Sequence, residues 1–162
     1  VEMENIDIIK LLLTNDKINV NIPYIKKDPK HEFNISEKTS LYLALENKNI
    51  EIIKLLLTNE NIDVNILNIE QDFYNSKSSE RLEITALYKS IMHNNIEIIK
   101  LLLTNDKLNI NIMNKELFYG LYISYKDYLY SEKTALYLAV ECENDEIVKL
   151  ILIFLIKMTI IC

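Results

Sequence analysis

The sequence has one glycine, two prolines and no tryptophan. So little Gly and Pro excludes an all-β fold full of tight turns, which draw on Gly for positive φ and on Pro for a preset φ. It also excludes a glycine-rich phosphate loop, which the single Gly120 cannot build. Turns must be made mainly with Asn, Asp and Ser. Basic charge is short too: 18 Lys and Arg against 24 Asp and Glu leave a net charge of −6. A binder of phosphate backbones needs a clustered cationic excess. The one short basic stretch, Lys26, Lys27, Lys30 and His31, is read as a solvated loop, so no nucleic acid is expected as a partner.

Histidine and cysteine are equally sparse, with two of each. His31 and His93 lie far apart and have no local pattern for metal or nucleophile chemistry. Cys142 and Cys162 lack metal-ligand spacing and read as free thiols in a reducing compartment. The carboxylates recur at the spacing of the chain's internal repeats, as surface and capping residues would. No catalytic residue, cofactor or metal is expected, and no enzyme. One glycosylation-type triplet, Asn34-Ile35-Ser36, arises easily by chance, and no signal peptide is visible at the N-terminus. The chain begins with Val rather than Met, as an excerpt would. The apolar end, 147–162, is 16 residues long and contains Lys149 and Lys157, short of the ~20 apolar residues that cross a bilayer. The expected location is intracellular and cytoplasmic.

What is present is repetition. Asn5 to Ile22 reads NIDIIKLLLTNDKINVNI, Asn49 to Ile66 reads NIEIIKLLLTNENIDVNI, and Asn95 to Ile112 reads NIEIIKLLLTNDKLNINI. A decayed fourth copy, NDEIVKLILIF, starts at Asn144. The offsets are 44, 46 and 49 residues (5 to 49, 49 to 95, 95 to 144). A second element precedes three of the copies: TSLYLALENK from Thr39, TALYKSIMHN from Thr85 and TALYLAVECE from Thr134.

Each element reads as a helix. Ile50, Ile53, Leu56 and Leu57 recur at helical spacing, and Ile52 and Leu55 widen the stripe, which suits a helix sandwiched between neighbours. Asn5, Asn49, Asn95 and Asn144 are good N-caps. Asp7, Glu51, Glu97 and Glu146 stand in the first turn, where the helix dipole favours negative charge. Thr39, Thr85 and Thr134 cap the preceding helices in the same way. The expected fold class is all-α, a solenoid of helix hairpins. Residues 1–162 form one domain, with a partial repeat at 1–22 and repeats at about 37–66, 83–112 and 132–162.

This pattern resembles the ankyrin repeat family. There a TPLHxA stretch opens the first helix, a Gly-His turn leads to the second, and the loop ends in a GADVN-like stretch. Here TSLYLA (Thr39–Ala44), TALYKS (Thr85–Ser90) and TALYLA (Thr134–Ala139) occupy the first motif, and INVN, IDVN and LNIN the last. The resemblance covers all but three inserted loops and the final ~10 residues. It implies a protein-binding scaffold whose partner is another protein. Several positions depart from the family. Tyr42, Tyr88 and Tyr137 stand at the family's His, so its Thr–His hydrogen bond cannot form in the usual way. Lys48, Asn94 and Glu143 stand at its Gly, a position that often needs a left-handed backbone and puts roughly 1 kcal/mol of strain on a non-Gly residue. Ser90 replaces a small Ala and is tolerable if its hydroxyl finds a carbonyl.

The family repeat is 33 residues. The periods here exceed it by 11, 13 and 16, and the excess is Pro23–Ser36, Leu67–Glu83 and Met113–Ser131. The resemblance places these inserts in the β-hairpin fingers, which are therefore enlarged. The helices are nearly identical while the inserts diverge, and per-repeat insertions lie on one face, often the binding face. Insert aromatics are therefore the candidate contact residues: Phe73 and Tyr74 in the second, Phe118, Tyr119, Tyr122, Tyr125 and Tyr128 in the third, since Tyr is enriched at interfaces. The same aromatics suit packing of the fingers against each other or the inner helices, and a Tyr spacing of three suits an added helix. On the concave face, Leu43, Glu46, Lys89 and Glu141 are candidates at exposed first-helix positions. The apolar end, in which Ile153, Phe154 and Leu155 replace the Thr-Asn-Asp turn, reads as a run-on helix, an odd cap, or a passage into further repeats, with membrane association the weakest option. The alternative function is a structural spacer in a longer array, without a partner of its own.

Overall fold

The structure, a computed structural model, describes residues 6–28, 31–75, 78–119 and 129–161. Its elements are α1 (Ile6–Leu13), β1 (Tyr24–Asp28), β2 (His31–Lys38), α2 (Ser40–Glu46), α3 (Ile50–Leu57), β3 (Asn68–Asn75), β4 (Ser78–Ile84), α4 (Ala86–Met92), α5 (Ile96–Leu102), β5 (Asn114–Tyr119), β6 (Leu129–Lys133), α6 (Ala135–Glu141) and α7 (Asp145–Ile161). The all-α expectation is wrong. The three inserts form hairpins that join side by side into one antiparallel sheet ordered β1-β2-β3-β4-β5-β6. Helices of neighbouring repeats pack about 8–10 Å apart. Two strands at about 4.8 Å each span the same distance, so long fingers stacked at the repeat spacing pair edge to edge and satisfy each other's backbone. The alternation is visible in β4, where Leu82 and Ile84 are buried while Arg81 and Glu83, which alternate with them, are half-buried.

The helix ends follow from the repeated residues. The Oγ1 atoms of Thr39, Thr85 and Thr134 accept from the backbone N–H of Tyr42, Tyr88 and Tyr137. Asn49, Asn95 and Asn144 cap the outer helices by accepting from Ile52, Ile98 and Ile147; Asn5 lies outside the described residues. The turn between the two helices of a repeat has the left-handed geometry expected at the family's Gly, with φ of 54° at Lys48, 52° at Asn94 and 54° at Glu143. The backbone N–H of Asn49 reaches Ala44 O at 2.9 Å and that of Lys48 reaches Leu45 O at 3.0 Å, the paired bonds that close a helix through a left-handed residue. The Ser90 hydroxyl finds the expected carbonyl, donating to Ala86 O at 2.7 Å.

The core runs the length of the stack, through Tyr42, Ile53, Ile84, Tyr88, Ile98, Ile99, Leu102, Ala139, Ile147 and Ile151, all fully buried. Repeats are stitched by a device absent from the sequence reading. The Asn21 amide donates to Asn61 O (2.7 Å) and accepts from Asp63 N–H (2.8 Å). Asn65 does the same with Lys107 O and Asn109 N–H, both at 2.8 Å. Each side chain thus reads the backbone of the next loop as a strand partner would. The last helix does run on: α7 continues to Ile161 in place of the turn that ends α3 and α5.

Candidate partner-binding surface

The fingers are anchored to the inner helices by one residue per repeat. Asn68 and Asn114 are 2% and 1% exposed at the base of β3 and β5. Asn114 Oδ1 accepts from the Thr85 N–H at 2.7 Å and the Thr85 hydroxyl at 3.1 Å, and Asn114 Nδ2 donates to Ile112 O. Asn68 repeats this with Thr39 and Ile66. The capping Thr is thereby fixed on both sides, and the finger starts from a defined point.

Two residues further along each strand stands a glutamate. These are Glu70 on β3 and Glu116 on β5. The Tyr88 hydroxyl donates to Glu116 Oε1 at 2.7 Å, and Ser131 Oγ donates to Glu116 Oε2 at 3.1 Å. Burial, then the Glu116 contact, raise the Tyr88 pKa and keep it neutral. In the preceding repeat the Tyr42 hydroxyl is buried and makes no hydrogen bond; burial first, then the charges of Glu70 and Glu46, raise its pKa.

Glu70 sits among cations instead. Lys89 Nζ is 2.7 Å from Glu70 Oε2, and Lys38 Nζ is 3.2 Å from Oε1 and 2.6 Å from Glu46. Burial alone would raise the Glu70 carboxyl. The hydrogen bond from Lys89 and the two ammonium charges outweigh it and hold its pKa at about 2. Burial raises Glu46. A matching cluster joins Lys133 to Glu141 at 2.7 Å and Glu116 at 3.4 Å, and the hydrogen bond to Glu141 raises the lysine. His93, the C-cap of α4, is lowered by burial and then by Lys89.

The candidate residues fall in different places. Phe73 and Tyr74 lie on β3, where Tyr74 is the extra residue of a bulge between the Phe73↔Ser79 and Asn75↔Ser78 pairs. Phe118 and Tyr119 lie on β5, paired with Glu80 and Ser79 of β4, and Phe118 is exposed. Tyr122, Tyr125 and Tyr128 lie outside the described residues. Lys89 is not on an open face. It is 8% exposed, held by Glu70 in the seam between helices and fingers. Leu43 is half-buried and lines a groove beside α1. Glu141 is exposed, and Glu46 is engaged with Lys38. Insert aromatics also stand exposed on the outermost strands, Tyr24 on β1 and Tyr130 on β6, beside exposed Ile25 on β1, which the sequence reading missed. Among the described residues no cluster of His, Cys, Asp and Glu is arranged to hold a metal ion, and no helix is long and apolar enough to cross a membrane.

Helix hairpins stacked in register, capped by Thr and joined by strand fingers, define a repeat scaffold. The family comparison agrees over most of the chain: ankyrin repeats in three copies match residues 66–159, and an ankyrin repeat matches residues 36–69. The chain belongs to the ankyrin repeat family, whose repeats are generally protein–protein interaction modules. No curated protein and no solved structure matches it.

Proposed function

We propose that this chain is a binding scaffold that holds another protein through its finger sheet and concave helix face. The observation that carries this reading is the contrast between near-identical helices and divergent fingers within one chain. The helices solve the same packing problem three times, whereas the fingers are anchored alike at Asn68 and Asn114 and then differ. Exposed Phe118, Tyr130, Tyr24 and Ile25 give the sheet the aromatic and aliphatic surface typical of interface cores. Phe73, Tyr74, Tyr119, Tyr122, Tyr125, Tyr128 and Leu43 belong to the same proposal. Lys89 belongs to it as a support, through Glu70. The test is affinity capture with the chain, a finger-trimmed version, and a Tyr122→Asp/Tyr125→Asp variant. Partners lost in both, with melting unchanged in the point variant, support the proposal. An unchanged partner set refutes the third finger as the contact surface.

A second reading, a spacer within a longer array and without its own partner, is favoured by the apolar ends of the stack. Ile8 and Leu11 on α1 and Ile153, Ile156 and Ile160 on α7 are exposed, whereas terminal repeats normally turn a polar face outward. Capture in which no partner depends on any finger supports the spacer.

A further inference from the structure

The repeated units of this chain are so alike that apolar packing cannot tell one from another. The outer helices α1 and α3 read IDIIKLLL and IEIIKLLL, and α5 reads IEIIKLL. The inner helices α2 and α6 start from TSLYLA and TALYLA. A unit set on the wrong neighbour, in its own chain or in a second copy, would bury nearly the same surface, and such misassembly is a characteristic failure of repeat proteins.

One junction is different. The fourth residue after each capping Thr is Leu43, Lys89 or Leu138, and two residues past the base of the preceding finger stands Lys26, Glu70 or Glu116. Only the middle junction joins opposite charges. Lys89 is 8% exposed and its counterpart Leu138 6%, so the lysine fills a buried position that is otherwise apolar. Glu70 and Glu116 occupy equivalent places and are satisfied in opposite ways. Glu116 is held inside its own unit, by Tyr88 of α4 and by Ser131 and Lys133 of β6. Glu70 is held by the units on either side, Lys38 of β2 at 3.2 Å and Lys89 of α4 at 2.7 Å. Tyr42, the tyrosine of its own unit, is fully buried and its hydroxyl makes no hydrogen bond.

Both features work against stability. A buried hydroxyl without a partner has lost its solvation, and a buried ion pair is often no better than an apolar pair of similar volume. What the ion pair does supply is discrimination, because taking away one partner leaves the other charge uncompensated. Each wrong stack breaks the match. α2 or α6 set on the second finger would put Leu43 or Leu138 against Glu70, and α4 set on the first finger would put Lys89 against Lys26.

We infer that the Lys89–Glu70 pair is a register lock, which admits only the unit carrying Lys89 onto the finger carrying Glu70 and so fixes the order in which near-identical units stack. This goes beyond partner binding and does not depend on it. The test is Lys89→Leu/Glu70→Leu, which replaces the pair by apolar side chains. The variant melts no lower than the parent. Refolded from urea at rising protein concentration, it gives dimers that have exchanged units, roughly tenfold or more above the parent by sedimentation, and these revert only after unfolding. Lys89→Met/Glu70→Gln keeps the side-chain lengths, gives the same dimers, and reads the same effect if the leucine pair precipitates. Tyr88→Phe breaks a bond inside one unit, so it lowers the melting midpoint and adds no dimer. Refolding of the paired variants to monomer alone overturns the inference. A dimer rise matched by Tyr88→Phe also overturns it, because lost stability and not lost register would then be the cause.

Discussion

Asn114 is the position where a single side chain holds a finger to the scaffold, and Asn114→Ala should reveal how much stability rests on it. The substitution leaves the Thr85 N–H and hydroxyl without their acceptor and Ile112 O without its donor, in a site where Asn114 is 1% exposed. A buried donor deprived of its partner costs about 1–3 kcal/mol. The N–H cannot reorient, so it bears the larger share; the hydroxyl can rotate and bears less. Together these give a loss of about 3–4 kcal/mol. For a chain of this size that lowers the melting midpoint by about 10 °C. Urea unfolding with linear extrapolation measures the loss directly. Thr85→Val removes the hydroxyl in advance, so Asn114→Ala in that background should cost about 1 kcal/mol less. A loss below about 1 kcal/mol, or strict additivity in the double variant, would refute the anchoring role.

Tyr88→Phe breaks a hydrogen bond to a carboxylate and should cost about 1.5–3 kcal/mol in the same urea assay, whereas Tyr42→Phe deletes a buried hydroxyl with no partner and should be neutral or stabilising. Lys48→Gly and Glu143→Gly relieve left-handed strain and should each raise stability by about 1 kcal/mol, with Asn94→Gly gaining less because Asn tolerates that region; equal gains at all three would contradict this. Glu70, held at about 2 against an ordinary 4.5, contributes stability that is present above about pH 4.5 and is lost as pH falls from there toward 2. The raised Glu46 acts with the opposite sign and offsets part of that loss at its upper end. Glu70→Gln should flatten the acid limb of a melting-versus-pH curve, and an unchanged limb would remove Glu70 from the account.

Much of the scaffold was legible because its signals are local. Thr and Asn caps, the left-handed turn at Lys48, Asn94 and Glu143, and the carbonyl partner of Ser90 each depend on a few adjacent residues, and the repetition multiplies every such signal. The strands were not legible as a sheet. A finger paired only within itself would be a loop appendage; what makes β1 to β6 one sheet is the match between repeat spacing and strand spacing, a property of the stack and not of any insert. The seam was hidden for the same reason. Lys89 reads as a solvent-facing helix lysine until β3 brings Glu70 against it, and the Asn-x-Glu pair at 68–70 and 114–116 is a short repeat within otherwise divergent inserts. That recurrence, 46 residues apart, is the signal the sequence offers for the seam. Leu43 reads as an exposed concave-face position and is half-buried instead, lining the groove beside α1.

The sheet also decides which fingers suit a partner best. β4 and β5 are joined at five successive register positions, from Glu83↔Lys115 to Ser79↔Tyr119, with Lys115 Nζ 3.6 Å from Glu83 bracing the junction. β2 and β3 pair at Glu37↔Ile69. The second and third fingers therefore form one plate, anchored at both Asn68 and Asn114, while the first carries no Asn at the corresponding position, where Tyr24 stands. Association loses affinity for every group it must first order. A partner spanning β3 to β6 meets a surface already ordered by its backbone pairing. Within the proposed function, β3 to β6, with exposed Phe118 on β5 and Tyr130 on β6, is therefore the surface that costs a partner least to order.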